Sequence, residues 1–281
     1  MTFDISLIIP TYGRYTEVEK LLQSIAIQTY PLEKIEVIIV DQNDSIDLSP
    51  LINTYSSSLN IIHEKTLIKG IANAKNTGIH LSKASLITFP DDDCIYYEDT
   101  VASAISFFKQ NAADVVYARI YDRQTQSNIM RNWPAKTLEL NLYNFHLRYS
   151  AVTCFSRRKE FLFDTRFGVG SKYSSGEELD YVISAIEKKN KVIYTHTIDM
   201  WHPKLDLSVM PLNKIYNYAK GYAAICKKHL SFPIGYLFFK SVINQVFRTV
   251  LYTLLLNKGK MMKHYTALKG RMHGFVEFKN Q

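Results

Sequence analysis

The stretch Leu86-Ile87-Thr88-Phe89-Pro90-Asp91-Asp92-Asp93 sets the frame for the whole chain: a short, mostly apolar run, a proline stop, then three adjacent carboxylates. A run with no polar face, closed by proline, has the pattern of a strand buried on both sides in a parallel sheet. Three neighbouring carboxylates repel one another unless water or a cation compensates. A hard divalent ion answers that need, because Mg²⁺ or Mn²⁺ takes oxygen ligands and bridges protein carboxylates to phosphate oxygens. The competing reading is an exposed acidic turn, which placement straight after a buried strand disfavours.

Strand-like runs of the same kind occur at Ile5 to Pro10 and Val37 to Val40, with a weaker one at Asn60 to His63. Between them Val18, Leu21, Leu22 and Ile25 fall at helical spacing, and helices are predicted over Ile71 to Leu81 and Thr100 to Asn111, before Val115-Val116-Tyr117. Such alternation predicts an α/β fold, a doubly wound and mostly parallel Rossmann-like sheet. Ligands of such sheets collect at the carboxyl ends of the strands, where this chain carries Thr11-Tyr12, Asp41 and Asp91 to Asp93. From Tyr121 to Lys172 the pattern weakens. A helix over Glu177 to Lys189 and a strand over Val192 to Thr195 then lead to Met200-Trp201-His202-Pro203.

The chain has 281 residues, 47% apolar and 21% charged, which suits one α/β domain with an appended segment and excludes wholesale disorder. Cys94, Cys154 and Cys226 are too widely spaced for a zinc knuckle or a disulfide framework, so a reducing cytoplasm is expected. The start MTFDISLIIP lacks the basic region and long apolar core of a secretory signal. The net charge of +8 is concentrated late, with twelve Lys or Arg from Met210 onward against Glu277 alone. Ile234 to Leu256 is apolar enough to suggest a span, but Lys240, Asn244 and Arg248 lay a polar stripe along it, which predicts an amphipathic helix.

Two further constellations carry possible chemistry. Gly176-Glu177-Glu178-Leu179-Asp180 is a glycine turn leading into a helix that opens with acids. Such acids complement the helix dipole, and equally a hydroxyl acceptor needs a positioned carboxylate to take its proton. Lys69-Gly70-Ile71-Ala72-Asn73-Ala74-Lys75-Asn76-Thr77-Gly78 combines small residues with positive charge. That pattern serves either phosphate binding at a helix N-terminus or close packing of helix on sheet.

Taken in order, S-L-I-I-P-T-Y (6 to 12), V-I-I-V-D (37 to 41), K-G-I-A-N-A-K-N-T-G (69 to 78), F-P-D-D-D (89 to 93) and G-E-E-L-D (176 to 180) resemble the family 2 glycosyltransferases of GT-A fold. The resemblance covers about residues 3 to 203. It implies inverting transfer of a sugar from a nucleotide-diphosphate sugar to an acceptor hydroxyl, with Mn²⁺ or Mg²⁺ as cofactor. By the same resemblance, Pro10, Thr11, Tyr12 and Arg14 belong to the first nucleotide-binding loop, and Asp41 contacts base or ribose. Lys69 and Asn76 lie near the donor. Asp91 and Asp93, with Asp92 between them, match the D-x-D pair, the later acid on the metal and the earlier on ribose or sugar. Glu178 matches the catalytic base, where most relatives carry Asp, which leaves Glu177 and Asp180 as substitutes. His202 matches a histidine near the diphosphate and joins the metal set, although a lone histidine beside Trp201 also suits a structural role.

The organisation expected is a catalytic domain over 1–204, divided at 120 into a nucleotide-sugar half and an acceptor half, and a basic helical extension over 205–281. Trp133 offers either a flat face to an acceptor sugar or a core side chain. In the extension, Tyr218, Tyr222, Ile225, Leu237, Phe238, Val242, Val246 and Val250 form a stripe that packs on the catalytic domain or lies in a bilayer interface. Relatives that extend lipid-linked polysaccharides work at a membrane surface, so the expected partners are a saccharide or lipid-linked acceptor and anionic lipid, not nucleic acid. The location expected is peripheral, on the inner face of the cell membrane, in bacterial cell-surface polysaccharide synthesis. Two other functions share the fold: a sugar nucleotidyltransferase, which normally has a glycine-rich loop where this chain has Pro10-Thr11-Tyr12-Gly13-Arg14, and a non-catalytic, membrane-associated nucleotide-binding protein.

Overall fold

The computed structural model describes residues 2–204 and 209–279. The chain divides into two compact units, Met1–Phe163 with Ser184–Leu205, and Asp164–Ile183 with Asp206–Gln281. The expected start of the extension at 205 lies outside the described residues.

The first unit is built on a mixed sheet. Three strands, β1 (Ile5–Thr11), β2 (Ile35–Asp41) and β3 (Asn60–Lys65), pair in parallel, and β1 also pairs in parallel with β4 (Leu86–Thr88). Every residue of β1 and β2 is buried, as their largely apolar runs require, and the polar Ser6 and Glu36 within them satisfy each other, the Ser6 hydroxyl donating to the Glu36 carboxylate at 2.5 Å. Helices α1 (Thr16–Ala26), α2 (Ser49–Tyr55) and α3 (Ile71–Leu81) form the crossovers. Helix α3 packs on β1 through Gly78, where a Cβ would lie 2.2 Å from Cγ2 of Ile8.

Beyond β4 come the two-residue β5 (Ile95–Tyr96), α4 (Thr100–Gln110), β6 (Val115–Asp122), and the short β7 (Ser127–Asn128), β8 (Leu138–Glu139) and β9 (Cys154–Ser156). Helix α5 (Glu177–Glu187) precedes β10 (Val192–Trp201). The sheet order is β3-β2-β1-β4-β9-β6-β10-β5, with β7 on β6 and β8 on β10. The long strands pair in parallel, whereas β9 runs antiparallel to both β4 and β6 and joins the two parallel halves. Strand β10 runs six residues past the predicted end at Thr195, and its register against β6 shifts between Tyr194 and Asp199. Its last two residues pair antiparallel with β5, Met200 with Tyr96 and Trp201 with Ile95.

In the second unit α6 (Leu212–Lys228), α7 (Phe232–Leu254) and α8 (Lys258–Glu277) pack side by side. Helices α6 and α8 approach closely because glycines stand at the crossing: a Cβ on Gly274 would meet the Lys220 carbonyl at 2.0 Å, and one on Gly270 the Tyr216 carbonyl at 2.5 Å. Phe238 of α7 stacks on Phe275 of α8, with ring centres 4.4 Å apart, and Ile225 of α6 is fully buried. Two members of the expected stripe are therefore packing residues within this unit. Among the described residues no helix is long and apolar enough to cross a membrane.

Candidate active site

The site is assembled from the carboxyl ends of β1 and β4 and the end of β10. After β4 the chain turns through Asp91-Asp92-Asp93, closed by the Cys94 amide donating to the Asp91 carbonyl. Two residues after Asp93, Ile95 pairs with Trp201, so the residue that follows the strand, His202, is delivered beside the acids. His202 Nε2 stands 3.2 Å from Asp93 Oδ1 and 3.6 Å from Asp91 Oδ2, and its Nδ1 is bonded to the Pro203 carbonyl at 2.8 Å. That second bond fixes the ring and leaves Nε2 facing the carboxylates.

The first loop supplies the other partners. Thr11 Oγ1 donates to Asp92 Oδ2 at 2.8 Å, and Arg14 spans two acids, Nε to Asp92 at 3.3 Å and Nη1 to Asp93 at 2.6 Å. Gly13, with φ of 75°, allows the loop to double back, and its amide donates to Asn43 Oδ1 at 2.5 Å. Burial pushes the Asp92 carboxyl up to about 6, although Thr11 and Arg14 pull it down. Burial also opposes ionisation of Asp93, but His202 and Arg14 outweigh it and hold this acid at about 2. Burial disfavours the His202 charge, yet Asp91 and Asp93 raise it to about 10. Burial likewise opposes the Arg14 charge, and Asp92 and Asp93 more than offset it.

A metal fits this donor set. One atom each from Asp91, Asp93 and His202 lie within 4.8 Å of one another. Adjacent ligands of an octahedral Mg²⁺, with bonds of about 2.1 Å, stand about 3 Å apart, close to the two His202 distances. An imidazole ligand binds in its neutral form, so His202 would hold a metal here through Nε2 without a proton on that nitrogen.

A second group surrounds the end of β2. Asp41, fully buried, accepts from the Asn43 amide at 2.8 Å and lies 3.0 Å from His63 Nε2. Lys69 pairs with Asp44 at 2.7 Å, donates to the Gln42 carbonyl, and lies 5.0 Å from the ring centre of the exposed Tyr12. Pro10 is buried within β1. Asn76 is farther along α3, where its amide bonds both the carbonyl and the N–H of Phe163 at 2.8 Å.

The sequence reading missed Gln42 and Asn43, whose side chains clamp the Gly70 and Gly13 amides at 2.7 and 2.5 Å. The available signal was an amide pair directly after a strand-ending acid. It also missed Asp199, which pairs with Arg119 at 2.6 Å and Arg123 at 3.1 Å in the part of β10 that was not foreseen.

Trp133 is not an open face: it is 4% exposed, its indole N–H donates to the Ile129 carbonyl at 3.0 Å, and it stacks on Tyr194. The indole is a core side chain, because its only polar atom is satisfied internally and its ring is covered by Tyr194 and by the Arg131 guanidinium, 5.0 Å from the ring centre.

The acid-bearing turn belongs to the second unit. Gly176, with φ of 93°, precedes α5, and a Cβ there would lie 2.3 Å from Ile225 Cδ1. Glu177 is buried and Glu178 half-buried in the first turn. Asp180 is buried and committed: its Oδ1 accepts from Lys228 Nζ at 2.6 Å and lies 2.8 Å from His229 Nε2. Lys228 also reaches Asp164 at 2.9 Å, which in turn pairs with Arg166 at 2.7 Å.

The architecture is that of GT-A glycosyltransferases. Residues 1–349 of S. aureus TarS, in complex with UDP-GlcNAc, match it with a TM-score of 0.63 at 14% identity, over 95% of this chain and 90% of that one. The mannosyltransferase PcManGT of Pyrobaculum calidifontis, in complex with GDP-Man and Mn²⁺, matches with a TM-score of 0.63 at 14% identity, over 99% and 89%. Residues 6–165 match Glycosyl transferase family 2, and the chain belongs to that family. Membership sets aside the nucleotidyltransferase reading. The match ends before Glu177.

Glycosyltransferase AglE of Haloferax volcanii is 30% identical over 40% of this chain and 38% of its own length. The minor teichoic acid biosynthesis protein GgaB of Bacillus subtilis is 27% identical over 67% of this chain but 22% of its own. The chain thus spans well under half the length of these relatives. The three cysteines are buried, and none is in a disulfide among the described residues.

Proposed function

We propose that this glycosyltransferase moves a sugar, with inversion, from a nucleoside-diphosphate sugar to a saccharide or lipid-linked acceptor hydroxyl, with Mn²⁺ or Mg²⁺ held by Asp91, Asp93 and His202. The observation that carries the reading is the meeting of Asp91 and Asp93 with His202, more than a hundred residues later in the chain, at the carboxyl end of the sheet. A divalent ion there supplies positive charge against the negative charge that develops on the departing diphosphate. Donor complexes of the fold neighbours, with UDP-GlcNAc in TarS and GDP-Man with Mn²⁺ in PcManGT, support a nucleotide-sugar donor here.

Each residue of the site then has a task. Arg14 holds Asp92 and Asp93 in one orientation before donor arrives and can turn its guanidinium toward a diphosphate oxygen. Tyr12 and Lys69 offer a ring and a cation to nucleobase and phosphate, and Asp41 accepts from base or ribose hydroxyl. Glu178 takes the proton of the acceptor hydroxyl as that oxygen attacks, with Glu177 beside it as the substitute. Asp180, tied to Lys228 and His229, positions the turn and takes no proton. The work is placed at the inner face of a cell membrane, in surface-polysaccharide synthesis, supported by the basic C-terminal unit and by the teichoic acid role named for GgaB.

The test is calorimetric titration of UDP-GlcNAc and GDP-mannose with Mn²⁺ and with excess chelator. Binding is expected to require the metal in the parent protein and to vanish in Asp93→Asn; equal affinity in chelator overturns the metal assignment. Glu178→Gln is expected to keep donor affinity and lose transfer by at least about 10²-fold. Full turnover by that variant moves the base elsewhere.

A further inference from the structure

Helix α7 has two apolar faces and only one of them is covered. Its inner face, with Ile234 and Phe238, is buried, and Gln245 and Ser241 bond His264 and Arg271 of α8. The opposite face carries Tyr236, Phe239, Ile243, Phe247, Val250 and Leu254, each between 54% and 76% exposed. At 100° per residue these six fall within an arc of about 80° and run most of the length of the helix, about 30 Å. The face differs from the stripe expected from sequence, which had included Phe238. Apolar side chains in a continuous row of this length are uncommon on soluble surfaces and mark an interaction site.

Charge identifies what covers it. Exposed Lys240 borders the arc, and the helix runs out into Leu254-Leu255-Leu256, all exposed, followed by exposed Lys258 and Lys260. From Leu207 to Val276 the sequence contains no Asp or Glu. A second copy docked face to face through α7 would set these lysines against their own counterparts, with no acid on α7 and with the one acid of α8, Glu277, already paired with Lys220 at 2.7 Å. A bilayer surface with anionic head groups accepts both features, apolar side chains entering by about 5–10 Å and cations resting on phosphates.

We infer that the outer face of α7 inserts into the interface of an anionic phospholipid bilayer, with α7 lying in the membrane plane and Lys240, Lys258 and Lys260 contacting head groups. This deepens the membrane location proposed above, and it stands apart from the transfer chemistry, since vesicle binding needs neither donor nor metal.

The experiment is co-sedimentation of the full chain with vesicles of phosphatidylglycerol and phosphatidylcholine, and with phosphatidylcholine alone. Binding to the anionic vesicles is expected, with at least tenfold weakening in Phe239→Glu/Phe247→Glu and about fivefold for each lysine in Lys240→Gln/Lys258→Gln. Both variants alter exposed positions, and an unchanged far-UV helix signal verifies that they fold. Unchanged vesicle binding by the double glutamate variant overturns the proposal. So does a concentration-dependent dimer, by sedimentation velocity, that the same variant abolishes while the parent ignores vesicles. Loss of transfer with vesicle binding intact would count against the catalytic reading alone.

Discussion

Replacing Asp180 by asparagine removes one negative charge from a side chain 5% exposed whose Oδ1 serves Lys228 at 2.6 Å and His229 at 2.8 Å. Removing one partner of a buried ion pair typically costs about 3–5 kcal/mol, because the other charge is left without compensation. Lys228 is less stranded than that, since it keeps Asp164 at 2.9 Å and 22% of its side-chain surface meets solvent. The loss is therefore expected at the lower end, about 3 kcal/mol. Urea denaturation followed by the far-UV helix signal, to which α6, α7 and α8 contribute strongly, measures it as a lower midpoint at constant slope. Transfer under folding conditions should stay within about tenfold of the parent, because the side chain positions the turn without touching reactants. An unchanged midpoint together with transfer reduced by about 10²-fold or more would refute the reasoning and make Asp180 itself the base.

Three other outcomes can be checked. Burial works against ionisation of Asp164, but hydrogen bonds from Arg166 and Lys228 prevail and hold it well below the usual carboxylate range. A depressed folded-state pKa gives stability that is present above about pH 4 and lost as pH falls further, so Asp164→Asn should be less stable than the parent at neutral pH, and the gap between the two should close as pH falls below about 4, seen by urea unfolding as a flatter pH profile in the variant. Gly78→Ala drives a methyl into Ile8 and should lower stability by about 1–3 kcal/mol by thermal or urea unfolding, and a neutral result would mean that α3 shifts freely on β1. Trp133→Phe should cost about 1 kcal/mol for the lost bond to the Ile129 carbonyl and leave acceptor KM unchanged; a raised KM at full stability would restore the acceptor-platform role.

The central strands were legible because burial on both faces demands strongly apolar runs, and residues 7–10, 37–40 and 86–87 satisfy that demand locally. Helix α3 was equally plain from its spacing, and its bounds coincide with Ile71 to Leu81. Strand β9 was not, because three residues are too few to show a period and its role comes from antiparallel pairing with β4 and β6. The second half of β10 was hidden by Thr195, His196, Thr197 and Asp199, polar residues whose partners Thr137 and Arg119 lie on other segments. Helix α2, opening at Ser49-Pro50, was passed over although proline is well suited to the first turn.

The acids of the site could be read from position alone, whereas the place of His202 depends on the pairing of β5 with β10, a long-range event that no local pattern encodes. The link from Arg14 to Asp92 and Asp93 is of the same kind, a loop side chain crossing from one strand end to another.

The absence of acids between Leu207 and Val276 has a consequence for control. Lysine and arginine keep their protons until well above neutrality, at about 10 and beyond. The pull proposed for the lysines of α7 and α8 toward an anionic surface should therefore change little with pH across the physiological range. Ionic strength, the composition of the lipid leaflet, or a modification that plants negative charge among the lysines are the levers that could loosen it.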